Sequence, residues 1–296
     1  MSKRLRKTGN HTLSQLQYVG GKNRNIHQGI SRARDAVYAA NKSGARCGIG
    51  DQDFVSAFDF LVLHWVWLVL QRKGVHEETI TRLKTLYSGG ITIPVVNSVQ
   101  GRAIKDKRSA LRQGSLGSMD LFAHGIDPLL YFLERRLKGI LISSVPVLGP
   151  SEESQRRPLP ELEERFKLMA YCDDLKPSIT NIDEFVTCDE GASLFEKSAG
   201  TKLHRDPATE KCKFLPLGKW RHELSQSDIP TDYMVLTDTL DMVGVKLCAT
   251  WTKTRQKNGD IIKQKVDTVC KSWKSGKFMP LAMRPQSLNC YAMSKI

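Results

Sequence analysis

The sequence predicts an α+β fold in which helices back an antiparallel sheet. Apolar residues recur at helical spacing in four segments, and two other segments have the strand–turn–strand pattern of hairpins. Hydrophobic residues make up 40% of the 296 residues and charged residues 26%, a balance typical of a protein with a buried core.

Four helices are predicted from this spacing. The first begins near Ile26 and stops at Gly44, since glycine readily adopts the left-handed conformation that ends helices. Gly74 is expected to end the second helix in the same way. The predicted helices cover about residues 26–40, 58–73, 76–87 and 119–137.

A β-rich pattern between the third and fourth helices predicts a hairpin. Its strands are residues 91–97 and 103–111, joined by a polar turn at 98–102. Pro94 has no backbone N–H and therefore favours an edge. Further along the chain, a Pro-, Ser- and Glu-rich stretch at about 142–165 is interpreted as a loop or variable insertion.

Two acidic clusters carry the candidate chemistry. Asp53 and Asp59 enclose the first, while Asp173 and Asp174 lie between two apolar runs, which predicts an acidic turn between strands. Adjacent carboxylates at a hairpin tip repel each other unless a cation binds there, so the pair suits hard divalent ions. One carboxylate from a neighbouring strand would complete a two-metal site for phosphoryl transfer. A lone Asp-Asp pair, in contrast, is more often an ordinary solvated turn.

The strands around these clusters contain unusual residues. Gly48 and Gly50 precede Asp53, and two glycines weaken a strand. Asp51 lies two residues before Asp53, hence on the same strand face, and is a rival metal ligand ranked below it. Pro177 cannot donate a ladder hydrogen bond in the return strand, which predicts an edge position or a bulge.

Positive charge is concentrated at the two ends of the chain. The formal net charge is +14; residues 1–46 carry ten basic side chains against one acidic, and residues 251–296 carry ten against two. The centre is slightly acidic. This segregation favours a metal-binding centre between two arms that grip phosphates, whereas scattered basic residues would indicate only solubility.

The cysteines and the apolar segments bear on the compartment. Seven widely spaced cysteines include no CxxC pair, which predicts reduced thiols in an intracellular protein of the nucleus or cytoplasm. The basic start of the chain lacks the pattern of a secretion signal. The apolar run 54–70 is shorter than the roughly 20 residues of a membrane span and contains Asp59 and His64. A buried helix is therefore expected there, with no membrane partner.

The acidic clusters and the segments around them resemble the reverse transcriptase family, most closely the polymerase of non-LTR (LINE-type) retrotransposons. Asp53-Phe54-Val55-Ser56-Ala57-Phe58-Asp59 resembles motif A, and Ala170-Tyr171-Cys172-Asp173-Asp174 resembles the YxDD box of motif C. Segments resembling a late fingers motif and motifs B, D and E stand in family order at Gln17–Ile26, Arg112–Leu130, Ser198–Lys213 and Met242–Leu247.

The resemblance implies a right-hand polymerase palm with partial fingers and the start of a thumb. Residues 1–46 would be residual fingers, 47–250 the palm with a fingers hairpin insertion at about 75–110, and 251–296 the start of the thumb. Family members carry further fingers motifs that nothing in this sequence replaces, so the resemblance is to a truncated polymerase.

The resemblance also implies a role for each site residue. Asp53, Asp173 and Asp174 would bind two Mg²⁺ ions, or Mn²⁺, with Asp53 and Asp173 bridging both ions and Asp174 contributing less directly. Phe58 would lie under the sugar of the incoming nucleotide and exclude a 2′-hydroxyl, although it is also a candidate core residue. The remaining nucleotide-binding candidates are Arg112, Gln113, Gly114 and Lys211, of which Lys211, like Lys213, could be plain surface charge.

Two functions from different classes follow. The first is an RNA-directed DNA polymerase that extends a DNA primer on an RNA template with deoxynucleoside triphosphates. The second is a catalytically inactive, polymerase-like remnant that binds nucleic acid. An intron-maturase relative fits less well, because no maturase domain follows the thumb.

Overall fold

The computed structural model describes residues 12–19, 24–88, 91–105, 111, 117–144 and 163–275. Helices and strands alternate along these ranges, so the predicted mixture of helix and sheet is confirmed. The assignment of segments to fingers, palm and thumb stays a prediction.

The described helices include five that match the four predicted segments, one of them split in two, and three that were not predicted. They are α1 (Ile26–Ser43), α2 (Ala57–Phe60), α3 (Leu63–Arg72), α4 (Glu77–Tyr87), α5 (Ser118–Arg136), α6 (Asp183–Ala199), α7 (Trp220–Glu223) and α8 (Trp251–Ser275).

The strands are short, and those of the central sheet surround the acidic clusters. They are β1 (Arg46–Asp51), β2 (Phe54–Val55), β3 (Ile91–Thr92), β4 (Val95–Val96), β5 (Val99–Gln100), β6 (Ile104–Lys105), β7 (Ile140–Ser144), β8 (Glu163–Phe166), β9 (Leu168–Tyr171), β10 (Asp174–Ile179), β11 (Lys202–Leu203), β12 (Cys212–Gly218), β13 (Met234–Leu236), β14 (Thr239–Met242) and β15 (Val245–Cys248).

The central sheet has the strand order β13-β12-β1-β10-β9. Its pairs are antiparallel except for β12 and β13, which are parallel, so the prediction of a wholly antiparallel sheet is wrong at this edge. The reason is the connection: the chain crosses over through α7 and a 3-10 turn before it enters β13 in the direction of β12.

Strand β1 lies in the middle of the sheet in spite of its glycines. A Cβ on Gly48 would lie 2.3 Å from the Phe214 ring, and one on Gly50 would lie 3.2 Å from Pro177 Cγ. The glycines therefore allow the neighbouring strands to approach closely. Their cost in strand propensity is offset by this packing.

Pro177 lies in an inner strand, so the predicted edge position is wrong. Paired positions of β1 and β10 end at Ile49–Ser178 and resume at the isolated Gln52–Leu175 bridge. Between these pairs Pro177 faces Gly50, and its missing N–H therefore falls in a gap of the ladder.

Each face of the sheet packs against a different set of elements. One hydrophobic cluster joins the sheet to α3, α5 and α6, and includes Phe122, Phe185 and Phe214. The other joins it to α1 and the β14–β15 hairpin, and includes Ile49 and Leu215. Side chains of β12 alternate between the two clusters, as the two-residue period of a strand requires, whereas Cys47 and Ile49 of β1 both belong to the second cluster.

Some helix ends are those the sequence pattern predicts, and one break is caused by a tertiary contact. Gly44 ends α1 with a φ of 63°, as predicted. The predicted helix 58–73 is split into α2 and α3, because Val62 is extended and its N–H donates to Ala199 O at 2.8 Å. This bond ties the start of α3 to the end of α6.

The predicted hairpin of residues 91–111 is present in its described part. Strands β3 and β6 pair, as do β4 and β5, and the turn lies at Asn97 and Ser98, both with positive φ, at the start of the predicted 98–102. The ends of the predicted loop 142–165 are paired strands, β7 and β8. Residues 106–110 and 145–162 lie outside the described ranges.

Helix α8 is attached to the β14–β15 hairpin by side chains of its first turns. Asn258 accepts a hydrogen bond from Lys246 N–H at 2.8 Å and donates to Lys246 O at 2.7 Å. Thr254 Oγ1 accepts from Cys248 N–H at 2.9 Å. None of the helices in the described ranges is long and apolar enough to cross a membrane.

Candidate active site

Asp53 lies two residues after the end of β1, beside the strand that carries Asp174. The pairing of β1 with β10 aligns Ile49 with Ser178 and Gln52 with Leu175. The next position in this register would set Asp53 across from Asp174. The sequence thus brings motif A and motif C together through ordinary antiparallel pairing.

A two-residue turn forms the tip of the β9–β10 hairpin. Tyr171 pairs with Asp174, which leaves Cys172 and Asp173 as the turn. Cys172 has a φ of 56°, a left-handed conformation that is rare for a residue with a side chain and is often held in place at functional sites. Its N–H donates to the buried Gln17 Oε1 at 3.2 Å.

The three predicted metal-binding aspartates interact electrostatically. Burial raises the pKa of Asp173 above its ordinary range, and the carboxylates of Asp174 and Asp53 raise it further. Like charges raise a carboxyl pKa in this way only when they lie close together. The arrangement is that of carboxylates whose repulsion a cation would relieve.

A buried lysine pairs with two carboxylates beside this cluster. Lys176 is 1% exposed, and its ammonium pairs with Asp51 at 2.5 Å and with Asp174. Burial lowers the pKa of Lys176, but the Asp51 and Asp174 carboxylates raise it more, so that it stays above its ordinary value. Burial raises the pKa of Asp51 to about 6, with Lys176 opposing this shift. Asp51, considered above as a rival metal ligand, is the ion-pair partner of Lys176.

A lysine and a histidine side chain lie at Asp53. Lys211 Nζ is 3.5 Å and His204 Nε2 is 3.8 Å from Asp53 Oδ2. His204 is placed by its backbone, because its N–H donates to Asp53 O at 3.0 Å beside the β2–β11 pair. Of the two motif D lysines, Lys211 is therefore the one that contacts a motif A carboxylate.

Phe58 lies on α2 and packs against α5. Its ring stacks on Phe122 with a centroid distance of 4.6 Å and an interplanar angle of 25°. The ring is half-buried, so one part belongs to the core and another part is accessible. Its role beneath a nucleotide sugar stays a prediction.

The other predicted nucleotide-binding residues, Arg112, Gln113 and Gly114, lie outside the described ranges. Within these ranges, no three His, Cys, Asp or Glu side chains are arranged so that together they could hold a metal ion. Asp53, Asp173 and Asp174 are thus neighbours without forming a complete set of ligands, and their binding of Mg²⁺ or Mn²⁺ stays a prediction.

Sequence reasoning missed three residues of this site: Gln17 as a support of the turn, Lys176 and His204. A signal for Lys176 was present. It lies two residues after Asp174 and hence on the same strand face, where an aliphatic residue would pack more easily than an amine. No comparable signal marks His204, since its position depends on the pairing of two-residue strands.

The basic flank 251–275 is a surface helix. Lys253, Arg255, Lys263 and Lys265 of α8 are exposed. Trp251 at its start lies under Arg34 of α1, with the guanidinium carbon 5.7 Å from the ring centroid. Positive charge from both flanks therefore meets where α8 joins α1.

No protein-family model and no curated protein matches the chain. Solved structures similar to it include apo telomerase from Candida tropicalis truncated from its C-terminal domain, at 12% identity and a TM-score of 0.43, over 84% of this chain and 42% of that one. Telomerase from Candida albicans in complex with a fragment of telomeric RNA has 12% identity and a TM-score of 0.47, over 83% and 35%.

Telomerase from Candida tropicalis in complex with the same kind of RNA fragment gives 12% identity and a TM-score of 0.47, over 84% of this chain and 34% of that one. The chain thus spans between about a third and two fifths of the length of these structures. A likeness at this identity and TM-score carries no weight for function, which has to be inferred from the residues of this chain.

Proposed function

We propose that the chain is the palm of an RNA-directed DNA polymerase of the retroelement type, and that Asp53 and Asp173 hold the divalent ions of its nucleotidyl transfer. The observation that carries the proposal is the strand register, which places Asp53 across from Asp174 and beside the strained turn of the β9–β10 hairpin that carries Asp173. An ordinary solvated turn would not leave Asp173 half-buried beside a second acidic segment.

The two carboxylates fit a hard divalent ion, because they offer oxygen ligands and repel each other without one. Bound Mg²⁺ or Mn²⁺ would activate the primer hydroxyl and stabilise charge on the transferred phosphoryl group. Lys211 would contact the triphosphate or donate a proton to the leaving group, since its ammonium lies 3.5 Å from the Asp53 carboxylate. Phe58 would lie beneath the nucleotide sugar.

The second candidate is a polymerase-like protein that binds nucleic acid without turnover. The ion pair of Lys211 with Asp53 favours it, because the lysine neutralises a carboxylate that catalysis would use. The exposed lysines and arginine of α8 serve either candidate.

Primer extension on an RNA template, with Mg²⁺ or Mn²⁺ and deoxynucleotides, separates these candidates. Asp53→Asn keeps the size of the side chain and removes its charge, so we expect it to lower the rate by at least about a hundredfold, the scale of losing charge stabilisation by a metal. Asp59→Asn is the matched control. Asp59 belongs to the same motif but is exposed on α2, and its variant should keep the parental rate.

If Asp53→Asn and Asp59→Asn lower the extension rate equally, the effect is not specific to Asp53. If Asp53→Asn extends primers at the parental rate, Asp53 is not a metal ligand. A parent that extends no primer, yet retains a DNA–RNA hybrid on a filter with or without Mg²⁺, would support the second candidate.

A further inference from the structure

Lys176 is the feature of the sheet that the proposed chemistry does not use. It is 1% exposed in the inner strand β10, and its ammonium lies between the carboxylates of Asp51 and Asp174. A lysine is almost never this deeply buried unless it is paired. Its partners come from two different strands, so that the group fastens β10 to the end of β1.

The register fixes this arrangement. Pairs Ile49–Ser178 and Gln52–Leu175 place Asp51 directly across from Lys176, on the same face of the sheet. Asp174 lies two residues before Lys176 and therefore also on this face. The ammonium can reach both carboxylates without any rearrangement of the strands.

We propose that Lys176 is a positioning residue that holds Asp174 as a structural part of the sheet, so that Asp53 and Asp173 alone offer carboxylates to a divalent ion. The proposal rests on the proposed function. It goes beyond the family resemblance, which implies only that Asp174 contributes less directly than Asp53 and Asp173. It assigns Asp174 to folding and its neighbour Asp173 to metal binding.

Displacement of Lys176 by an ion at Asp174 is unfavourable for two reasons. The ammonium would have to leave a site with almost no access to water, and the largely buried Asp51 would lose its partner. Removal of one member of a buried ion pair leaves a charge without compensation, which is strongly destabilising. Asp173, in contrast, has no ion pair among the described residues.

The first test needs no metal. Urea unfolding in EDTA compares Asp174→Asn with Asp173→Asn, two adjacent and equally conservative changes. We expect Asp174→Asn to lower the midpoint, because Lys176 loses a partner. Asp173→Asn should leave the midpoint unchanged or raise it, since it removes a repelled carboxylate. A midpoint that falls equally in both variants, or only in Asp173→Asn, would overturn the structural role of Asp174.

The second test measures Mn²⁺ binding from the electron paramagnetic resonance signal of the free ion. We expect Asp173→Asn to weaken binding at least about tenfold, since even groups that only support a ligand contribute about ten- to hundredfold. Asp174→Asn should stay within twofold of the parent. Comparable weakening by both variants would make Asp174 a ligand and overturn the proposal while leaving the proposed function intact.

A charge-matched double variant, Asp51→Asn with Lys176→Met, removes the ammonium together with the buried partner that needs it. Asp174 is then free, so Mn²⁺ affinity should rise, and Asp174→Asn in this background should cancel the rise. If Lys176 served only the stability of the sheet, the double variant would bind Mn²⁺ no more tightly than the parent. An unchanged Mn²⁺ affinity would therefore count against the proposal. A parent that binds no Mn²⁺ would refute the proposed metal site, and the urea comparison would then decide whether Lys176 holds Asp174.

Discussion

The side-chain oxygen of Gln17 accepts a hydrogen bond from the backbone N–H of Cys172, 3.2 Å away in the buried interior. A residue of the N-terminal segment thereby supports the turn that carries Asp173. The same segment pairs with β9, since Tyr18 N–H donates to Ala170 O and Ala170 N–H donates to Leu16 O, each at 2.9 Å. The turn is thus held from outside its own hairpin.

Gln17→Ala should therefore destabilise the protein. The Cys172 N–H would be buried without an acceptor, and such a loss costs about 1–3 kcal/mol. The free energy of unfolding in urea measures the effect. Gln15→Ala, at an exposed position of the same segment, should change it by less than about 0.5 kcal/mol. Equal stability of the two variants would show that the turn does not depend on Gln17.

Phe58→Val tests whether the ring excludes a ribose 2′-hydroxyl. If motif A is aligned correctly, a smaller side chain opens space at the sugar, and incorporation of ribonucleotides relative to deoxynucleotides should rise by about tenfold or more. The stack on Phe122 is lost as well, so a loss of stability of about 1–3 kcal/mol is expected. Primer extension with each nucleotide type measures the ratio.

Phe60→Val is the control for this prediction. Phe60 lies on the same helix and is 48% exposed, so its truncation should change neither the nucleotide ratio nor stability appreciably. An active Phe58→Val variant with the parental ratio would mean that the ring only packs against α5.

His124 predicts a loss of stability in acid. Burial lowers its pKa to about 3, helped by the charges of Lys73 and Arg24. Because the folded pKa lies below the ordinary value of 6.5, the contribution of neutral His124 is complete above pH 6.5 and is lost as the pH falls towards 3. Relative to His124→Gln, the parent should lose up to about 1.4 kcal/mol per pH unit in this window.

Urea unfolding at pH 7, 6, 5 and 4 provides the measurement. Comparison with His124→Gln cancels the titration of other groups, among them Asp51, whose raised pKa acts in the opposite direction by stabilising the folded state in acid. His64→Gln, at an exposed position of α3, is the matched control for the substitution itself. A stability difference between the parent and His124→Gln that does not change with pH would show that the His124 ring is protonated in the folded protein.

The exposed cations of α8 predict salt-dependent binding to an RNA–DNA hybrid. Combined Lys263→Gln and Lys265→Gln should reduce the slope of log affinity against log salt by about 1.8, if each side chain neutralises one phosphate of a duplex. Lys138→Gln with Lys197→Gln changes the net charge equally at two exposed positions outside both basic flanks. Equal slopes for both double variants would exclude α8 as the contact surface.

Local signals in the sequence predicted the helices up to α5, the 91–111 hairpin and the turn at Asp173, but not the elements from α6 onward. Gly44 and the turn at Asp173 were identifiable because neighbouring residues in the sequence mark each of them. The break at Val62 was not, since it follows from a hydrogen bond to Ala199, far along the chain. Helix prediction fails where a distant backbone group competes for the N–H.

In the candidate site, too, some features are marked by the local sequence and others depend on distant contacts. The positions of Asp53 and Asp173 follow from a motif and a strand register, whereas the pairing of Lys176 with Asp51 requires knowledge of which strands are adjacent. The preference of Pro177 for an edge was overridden because Gly50 leaves room opposite it. A fit of this kind between residues of two adjacent strands cannot be predicted from either segment alone.

Gly48 makes the candidate site vulnerable to mutation at a distance. Any larger residue there would collide with the Phe214 ring and with Leu215 O, 2.5 Å from the position of a Cβ, and would push β12 away from β1. Because β12 begins just after Lys211 and β1 ends just before Asp53, a single codon change remote from every carboxylate would separate the lysine from the aspartate. Loss of activity by random mutation can therefore begin in the packing of the sheet while all three aspartates are still encoded.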